Sequence, residues 1–190
     1  MNRYSSRRHK LDQQFLNEKL KNAASYDRIA GYFSSSILEV AGESIENVAG
    51  KVRVICNSGL SPADVAVANY AQKMKQEWCE FSPEEKYTSP ESSKRLSTLF
   101  RLLSSGKLEI RVIPDEIFGL MHGKAGVITY KDGSKTSFLG SINETKSAFT
   151  LNYEMLWEDD SEESVKWVQE EFDYFWNSQY AVNLCDFVIN

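Results

Sequence analysis

Polar side chains suited to catalysis are concentrated between residues 121 and 154. His122 and Lys124 stand two residues apart in the string MHGK, so in an extended chain both side chains project to the same face. Ser141 and Asn143 repeat this spacing in the string GSIN, and Glu154 follows eleven residues after Asn143. A nucleophile or base, a fixed cation, two neutral hydrogen-bonding groups and a carboxylate are the parts that a site acting on an anionic group requires.

The hydrophobic pattern predicts the elements that must position these residues. Helical spacing predicts helices over 11–23, 36–48, 62–78, 92–104 and 162–176, and apolar or β-branched runs predict strands over 51–57, 108–113, 124–130, 136–139 and 153–157. Asp132-Gly133 predicts the turn of a hairpin between 124–130 and 136–139, and the polar residues 80–93 predict a surface loop. Strands that first alternate with helices and then follow one another predict an α/β fold. We expect a mixed, mostly parallel β-sheet flanked by helices.

The motif residues resemble those of the phospholipase D superfamily, whose members carry an HKD motif. His122-x-Lys124, then Gly140-Ser141-x-Asn143, then Glu154 match its nuclease branch, and the string GSINETKSAFTLNYE is the most specific part. The resemblance is best over residues 105–180 and is to single-motif domains attached to helicases and to restriction or phage-defence enzymes. Thr129 stands where the full motif has Asp. This departure is frequent in the nuclease branch and speaks against lipase-type activity.

The resemblance implies a phospholipase D-like fold and a metal-independent phosphodiesterase that needs no cofactor. His122 would attack the phosphorus and form a phosphohistidine. Lys124 and Asn143 would bind the nonbridging oxygens and stabilise the transition state, Ser141 would add a hydrogen bond to the substrate, and Glu154 would orient a histidine.

The implied mechanism also requires a second histidine, which protonates the leaving group. The sequence has two histidines, and His9 lies in no matching motif but in a basic N-terminal arm, residues 1–10. A symmetric homodimer that brings two copies of His122 to one site is the simplest solution. A second motif on another chain or domain is the alternative.

Composition bounds the class of protein. The 190 residues correspond to a single domain, 1–190, and residues 180–190 resemble the junction after which such domains continue into a helicase or ATPase. The net charge of −5 excludes binding of nucleic acid through general positive charge. Without an apolar signal or membrane segment, and with three cysteines interpreted as buried thiols, we expect a cytoplasmic protein.

The resemblance to the nuclease branch implies nucleic acid, most simply DNA, as the substrate and phage defence or restriction as the context. Lys94, Arg95 and Arg101 on one predicted helix form a candidate basic patch. Trp157, Phe172, Phe175 and Trp176 are interpreted as core residues and not as stacking platforms. A catalytically silent module that binds DNA or dimerises is the first alternative function. A hydrolase of phospholipids or small phosphodiesters is the second.

Overall fold

The computed structural model describes residues 1–77 and 90–186. The strands are β1 (Asn2–Ser5), β2 (Ala23–Ala30), β3 (Val52–Asn57), β4 (Leu108–Ile113), β5 (Ala125–Tyr130), β6 (Lys135–Gly140), β7 (Met155–Asp159) and β8 (Val182–Asn183). The helices are α1 (Glu18–Leu20), α2 (Leu38–Asn47), α3 (Pro62–Glu77), α4 (Pro90–Ser104), α5 (Asp115–Phe118), α6 (Lys146–Thr150) and α7 (Glu162–Trp176). A π-helical turn, Asp12–Asn17, leads into α1, and 3₁₀ turns occupy Ser35–Ile37 and Leu184–Asp186.

The eight described strands form one mixed sheet in the order β1-β7-β6-β5-β2-β3-β4-β8. The predicted α/β class is therefore confirmed. Within the described residues only β2 with β3 and β3 with β4 pair in parallel, and the other neighbours are antiparallel, so the sheet is less parallel than predicted. The reason lies in the connections, because a tight turn such as the one between β5 and β6 can join only antiparallel strands.

The central strand β2 was missed as a strand by the sequence pattern. Its sequence, AASYDRIA, carries the charged residues Asp27 and Arg28, which interrupt the apolar run that predicts a buried strand. Both side chains are nevertheless buried, because each has an ionic partner, Arg53 for Asp27 and Glu144 for Arg28. The helix predicted to reach residue 23 ends at Leu20, which frees Ala23 to begin β2.

Helix α7 covers one face of the sheet at its centre. Gln169 donates to Asp27 of β2 across 3.1 Å, and the guanidinium of Arg53 lies over the rings of Phe172 and Trp176 at 4.9 and 5.3 Å. Phe172 and Trp176 are buried, as predicted. Trp157 was wrongly placed in the core and is 46% exposed on β7. These contacts hold α7 against the central strands β2 and β3.

The N-terminal residues belong to the sheet and do not form an arm along their whole length. β1 pairs with β7, and the buried carboxylate of Glu158 in β7 bonds to Asn2, Tyr4 and Thr136 and forms an ion pair with Lys19. These bonds hold the pKa of Glu158 below its usual value in spite of its burial. Burial and Glu158 together raise the pKa of Tyr4 to about 12.

Several other predictions can be compared with the structure. Residues 80–89 of the predicted loop 80–93 lie outside the described residues. Residues 90–93 belong to α4 and not to a loop. Cys56 is buried as predicted, Cys185 is partly buried, and Cys79 lies outside the described residues. In the part of the chain that is described, no helix is long and apolar enough to cross a membrane.

Candidate active site

The motif residues meet at one edge of the sheet because of its mixed topology. β5 is antiparallel to both β2 and β6, so the start of β5 lies beside the ends of β2 and β6. β7 is antiparallel to β6, which places its start at the same edge. His122 and Lys124 precede β5, Ser141 and Asn143 follow β6, and Glu154 precedes β7. Residues some thirty positions apart in the chain are thereby brought together.

Lys124 is a buried cation next to His122. Only 6% of Lys124 is exposed, and its ammonium donates to the backbone carbonyl of His122 across 2.7 Å. Burial lowers the pKa of Lys124, the nearby charge of Arg28 lowers it further, and Glu154 acts in the opposite direction. The imidazole of His122, in contrast, is exposed and accessible to a substrate. The fold thus holds a positive charge beside the backbone of an exposed histidine.

Gly31, which follows β2, lies where the two motifs converge. A methyl group placed on Gly31 would lie 2.8 Å from Nζ of Lys124, 3.1 Å from Oδ1 of Asn143 and 3.4 Å from Cα of His122. The absence of a side chain therefore lets these three residues approach one another. No sequence signal marked Gly31, because a lone glycine within a short apolar stretch is compatible with many roles.

The amide of Asn143 has a defined orientation. Its Oδ1 accepts a hydrogen bond from the backbone N–H of Tyr32 across 3.0 Å. Because the oxygen is used in this way, the amide nitrogen Nδ2 is the group that Asn143 offers to a ligand, and Nδ2 is a donor. A hydrogen-bond donor near the positive charge of Lys124 is suited to binding an anion.

Ser141 and Glu154 form a hydrogen-bonded pair. The Ser141 hydroxyl donates to the Glu154 carboxylate, which also accepts from Asn152 across 3.4 Å. Glu154 is only 7% exposed. Between the ring of His122 and Glu154 the described residues show no hydrogen bond, so the orienting role of Glu154 stays a prediction. The carboxylate of Glu154 instead accepts hydrogen bonds from Ser141 and Asn152 and interacts with the charge of Lys124.

Gly140 explains how the GSIN segment reaches this position. A methyl group on Gly140 would collide with the backbone carbonyl of Met155 and would lie 2.7 Å from Cα of Leu156. β7 therefore packs so closely on the end of β6 that only glycine fits there. The Ser141 N–H then donates to the Met155 carbonyl across 3.0 Å, which fixes the residue that carries the hydroxyl.

A buried ion pair behind the motifs was not foreseen from the sequence. Arg28 of β2 donates to Glu144 across 2.8 Å and to the carbonyl oxygens of Ala125 and Ile142. Ala125 follows Lys124, and Ile142 precedes Asn143. Arg28 thus ties together the two backbone segments that carry the motif residues. Burial, with the charge of Glu144, raises the pKa of Tyr26, whose hydroxyl contacts the same carboxylate.

The predicted basic patch is largely neutralised. Arg95 forms an ion pair with Glu39, and Arg101 forms one with Glu46. Lys94 is exposed on the same helix. His9 is not fully solvated, because its ring is partly buried, packs on Tyr4 and hydrogen-bonds the backbone of Ser5. Over residues 1–77 and 90–186 no cluster of His, Cys, Asp and Glu has the arrangement of a metal site.

Comparisons with known proteins agree with the fold. Among solved structures, NucT from Helicobacter pylori is similar with a TM-score of 0.58 and 18% identity, over 96% of this chain and 97% of that one. Nuc from Salmonella typhimurium, a phospholipase D family member, has a TM-score of 0.56 and 14% identity, over 96% and 95%. Curated protein sequences give no match. The family model described as "Cardiolipin synthase, PLD-like domain" matches residues 16–176, and the chain therefore belongs to the phospholipase D-like domain family.

Proposed function

We propose that the protein is a metal-independent phosphodiesterase that cleaves DNA through a phosphohistidine intermediate. One observation carries the proposal: Nζ of Lys124, Oδ1 of Asn143 and the backbone Cα of His122, from two separate motifs, all lie within 3.4 Å of the point where a methyl group on Gly31 would stand. An exposed histidine, a buried ammonium and an asparagine amide whose segments meet at one edge of the sheet suit a phosphodiester group, which has an electrophilic phosphorus and two nonbridging oxygens that share one negative charge.

Each residue has a role that follows from its surroundings. An imidazole nitrogen of His122 attacks the phosphorus, and the bond from phosphorus to the leaving oxygen breaks. Lys124 and Asn143 bind the nonbridging oxygens, where negative charge increases in the transition state. The Ser141 hydroxyl adds a hydrogen bond, and the Glu154 carboxylate orients the site through Ser141 and supports the charged form of Lys124.

A second histidine completes the cycle, and we propose that a homodimer supplies it. His122 of the partner subunit donates a proton to the leaving alkoxide and later takes one from the attacking water. Water then breaks the phosphorus–nitrogen bond, which yields a phosphomonoester and regenerates His122. The proposal includes a two-fold axis that places both copies of His122 at one site.

The biological setting is part of the proposal. The defence system and its partner rest on the resemblance of the motifs, and the cytoplasmic location rests on the polar N-terminus and the cysteine usage of the sequence. Single-motif domains of this kind are attached to helicases and to restriction or phage-defence enzymes. We therefore propose a role in such a system, in the cytoplasm, with a helicase or ATPase as a partner or fused domain. At a net charge of −5, delivery by a partner would compensate for the weak general attraction to DNA.

The test is cleavage of plasmid and single-stranded DNA in excess EDTA. We expect cleavage to persist with EDTA and to be lost in His122→Ala, whereas His9→Ala, the change at the other histidine of the sequence, retains it. Mass spectrometry of the quenched reaction should show a phosphate adduct on His122. If neither DNA, RNA nor a chromogenic phosphodiester is turned over, the protein is instead a silent binding module.

A further inference from the structure

An apolar cleft of about 410 Å³ opens beside the motif residues. Its lining includes His122 and Lys124 of the motif, the apolar side chains of Leu120 and Leu139, and Trp167 and Glu171 of α7. Its volume falls within the roughly 300–1,000 Å³ typical of small-molecule sites. The cleft therefore shares two residues with the proposed phosphate site and extends away from it over apolar side chains.

Trp167 is the residue of the cleft best suited to contact a ligand. It is 54% exposed, an unusual exposure for the largest apolar side chain, whereas Val168 beside it is buried. Trp167 and Glu171 are four residues apart on α7 and therefore share one helix face. Gln169 and Phe172 anchor α7 to Asp27 and Arg53, so the helix that carries the indole is held against the sheet.

We propose that this cleft binds an unpaired nucleobase attached to the scissile phosphate, with Trp167 as its stacking platform. The inference deepens the proposed function and rests on it. A base linked through its sugar to a phosphate at His122 lies within reach of the cleft, because His122 and Lys124 line both. Inside a duplex each base is stacked on both faces and cannot enter such a cleft. The substrate class is therefore single-stranded or locally unpaired nucleic acid.

The charge of the cleft favours a base over other occupants. Glu171 is exposed at its rim, and its negative charge repels a phosphate group. The same carboxylate would be desolvated by a lipid acyl chain lying over it, which is costly. A base has a flat apolar face for Trp167 and polar edges that tolerate a carboxylate nearby. Stacking of bases on aromatic side chains is tolerant of sequence, so we expect little preference among the four bases.

Binding to the inactive His122→Ala protein tests the proposal without cleavage of the strand. The probes are a fluorescein-labelled single-stranded 12-mer and the same length of abasic sugar–phosphate strand, measured by anisotropy. We expect His122→Ala to bind the strand with bases more tightly than the abasic strand. Adding Trp167→Ala should weaken binding of the base-containing strand about 5- to 100-fold and abolish the difference between the two. Trp167→Phe should retain part of the preference for the strand with bases.

Trp157→Ala is the matched control, because Trp157 is similarly exposed but does not line the cleft. Equal binding of both strands, or equal losses for Trp157→Ala and Trp167→Ala, overturns the proposal. The proposal is also overturned if Trp167→Ala leaves binding to the strand unchanged but loses binding to phosphatidylcholine–cardiolipin vesicles. The same holds if Trp167→Ala leaves binding to the strand unchanged but loses dimers in light scattering. Base-dependent binding by a protein that cleaves no phosphodiester would refute the proposed function and still support the base site.

Discussion

Arg28 and Glu144 form an ion pair that is buried almost completely, with 1% and 2% of their side chains exposed. Arg28 belongs to the central strand β2, and Glu144 directly follows Asn143 of the GSIN segment. Through its bonds to the carbonyls of Ala125 and Ile142, Arg28 also holds the residues next to Lys124 and Asn143. The two motifs of the candidate site are therefore joined from behind by one guanidinium.

Breaking this pair on one side should destabilise the protein strongly. In Glu144→Leu the charge of Arg28 remains buried without its partner, and we expect the free energy of unfolding to fall by about 3–5 kcal/mol. The double variant Arg28→Met with Glu144→Leu should be more stable than either single variant, because no buried charge remains. Urea unfolding measures both effects. Lys166→Met, which removes an exposed pair with Glu170, should change little. If the losses in free energy of unfolding of the two single variants simply add in the double variant, the coupling between Arg28 and Glu144 is contradicted.

The alkaline limit of activity should report the protonation of Lys124. The charged ammonium of Lys124 is the active form, and burial lowers its pKa. As the pH rises, kcat/KM should therefore begin to decline at a lower pH than an ordinary lysine would give. Glu154 favours the charged form. Glu154→Gln should therefore lower the pKa of Lys124 further and move the alkaline limb to lower pH.

The profile is measured with a chromogenic phosphodiester, and Glu162→Gln, at the exposed start of α7, serves as the control. A limb that stays in place or moves to higher pH in Glu154→Gln would show that Lys124 does not set it. Lys124→Met should lose activity across the whole pH range, since no cation then faces the nonbridging oxygens.

Gly31→Ala should impair catalysis more than folding. The new methyl group would meet Nζ of Lys124 at 2.8 Å, and this flexible end can move aside at small cost to stability. The ammonium would then leave its place beside His122, and a displacement of about 1 Å can cost about 100-fold in rate. We expect kcat/KM to fall by about 10- to 100-fold. Gly42→Ala in α2, where a methyl group meets only ordinary contacts, is the control. Equal activity of the two variants would refute the argument.

A shared site makes activity depend on dimers. Mixing the wild-type protein with a growing excess of His122→Ala should lower the activity per wild-type protomer, because a mixed dimer has one histidine for two roles. Dilution should lower specific activity in the same way. Light scattering at the assay concentration checks the oligomeric state. A monomer with full activity would rule out the shared site.

Much of the fold could be predicted because its signals are local. Helix α7 was predicted with its observed bounds from four apolar residues on one face, and the hairpin of β5 and β6 from alternating strands around Asp132-Gly133. β2 was missed because the pairing of Asp27 and Arg28 with distant partners, which permits their burial, is not visible in a local pattern. The same limit hid Gly31 and Trp167.

The sequence by itself determined the parts of the site. The types and spacing of His122, Lys124, Ser141, Asn143 and Glu154 are chemical facts that need no coordinates, and they indicated the family that the comparisons confirm. Only the tertiary structure decided how the parts meet. Antiparallel pairing brings the start of β5 to the ends of β2 and β6, and Gly31 leaves the space in which a buried lysine and an amide face one point. These relationships depend on contacts between distant residues, which no local pattern encodes.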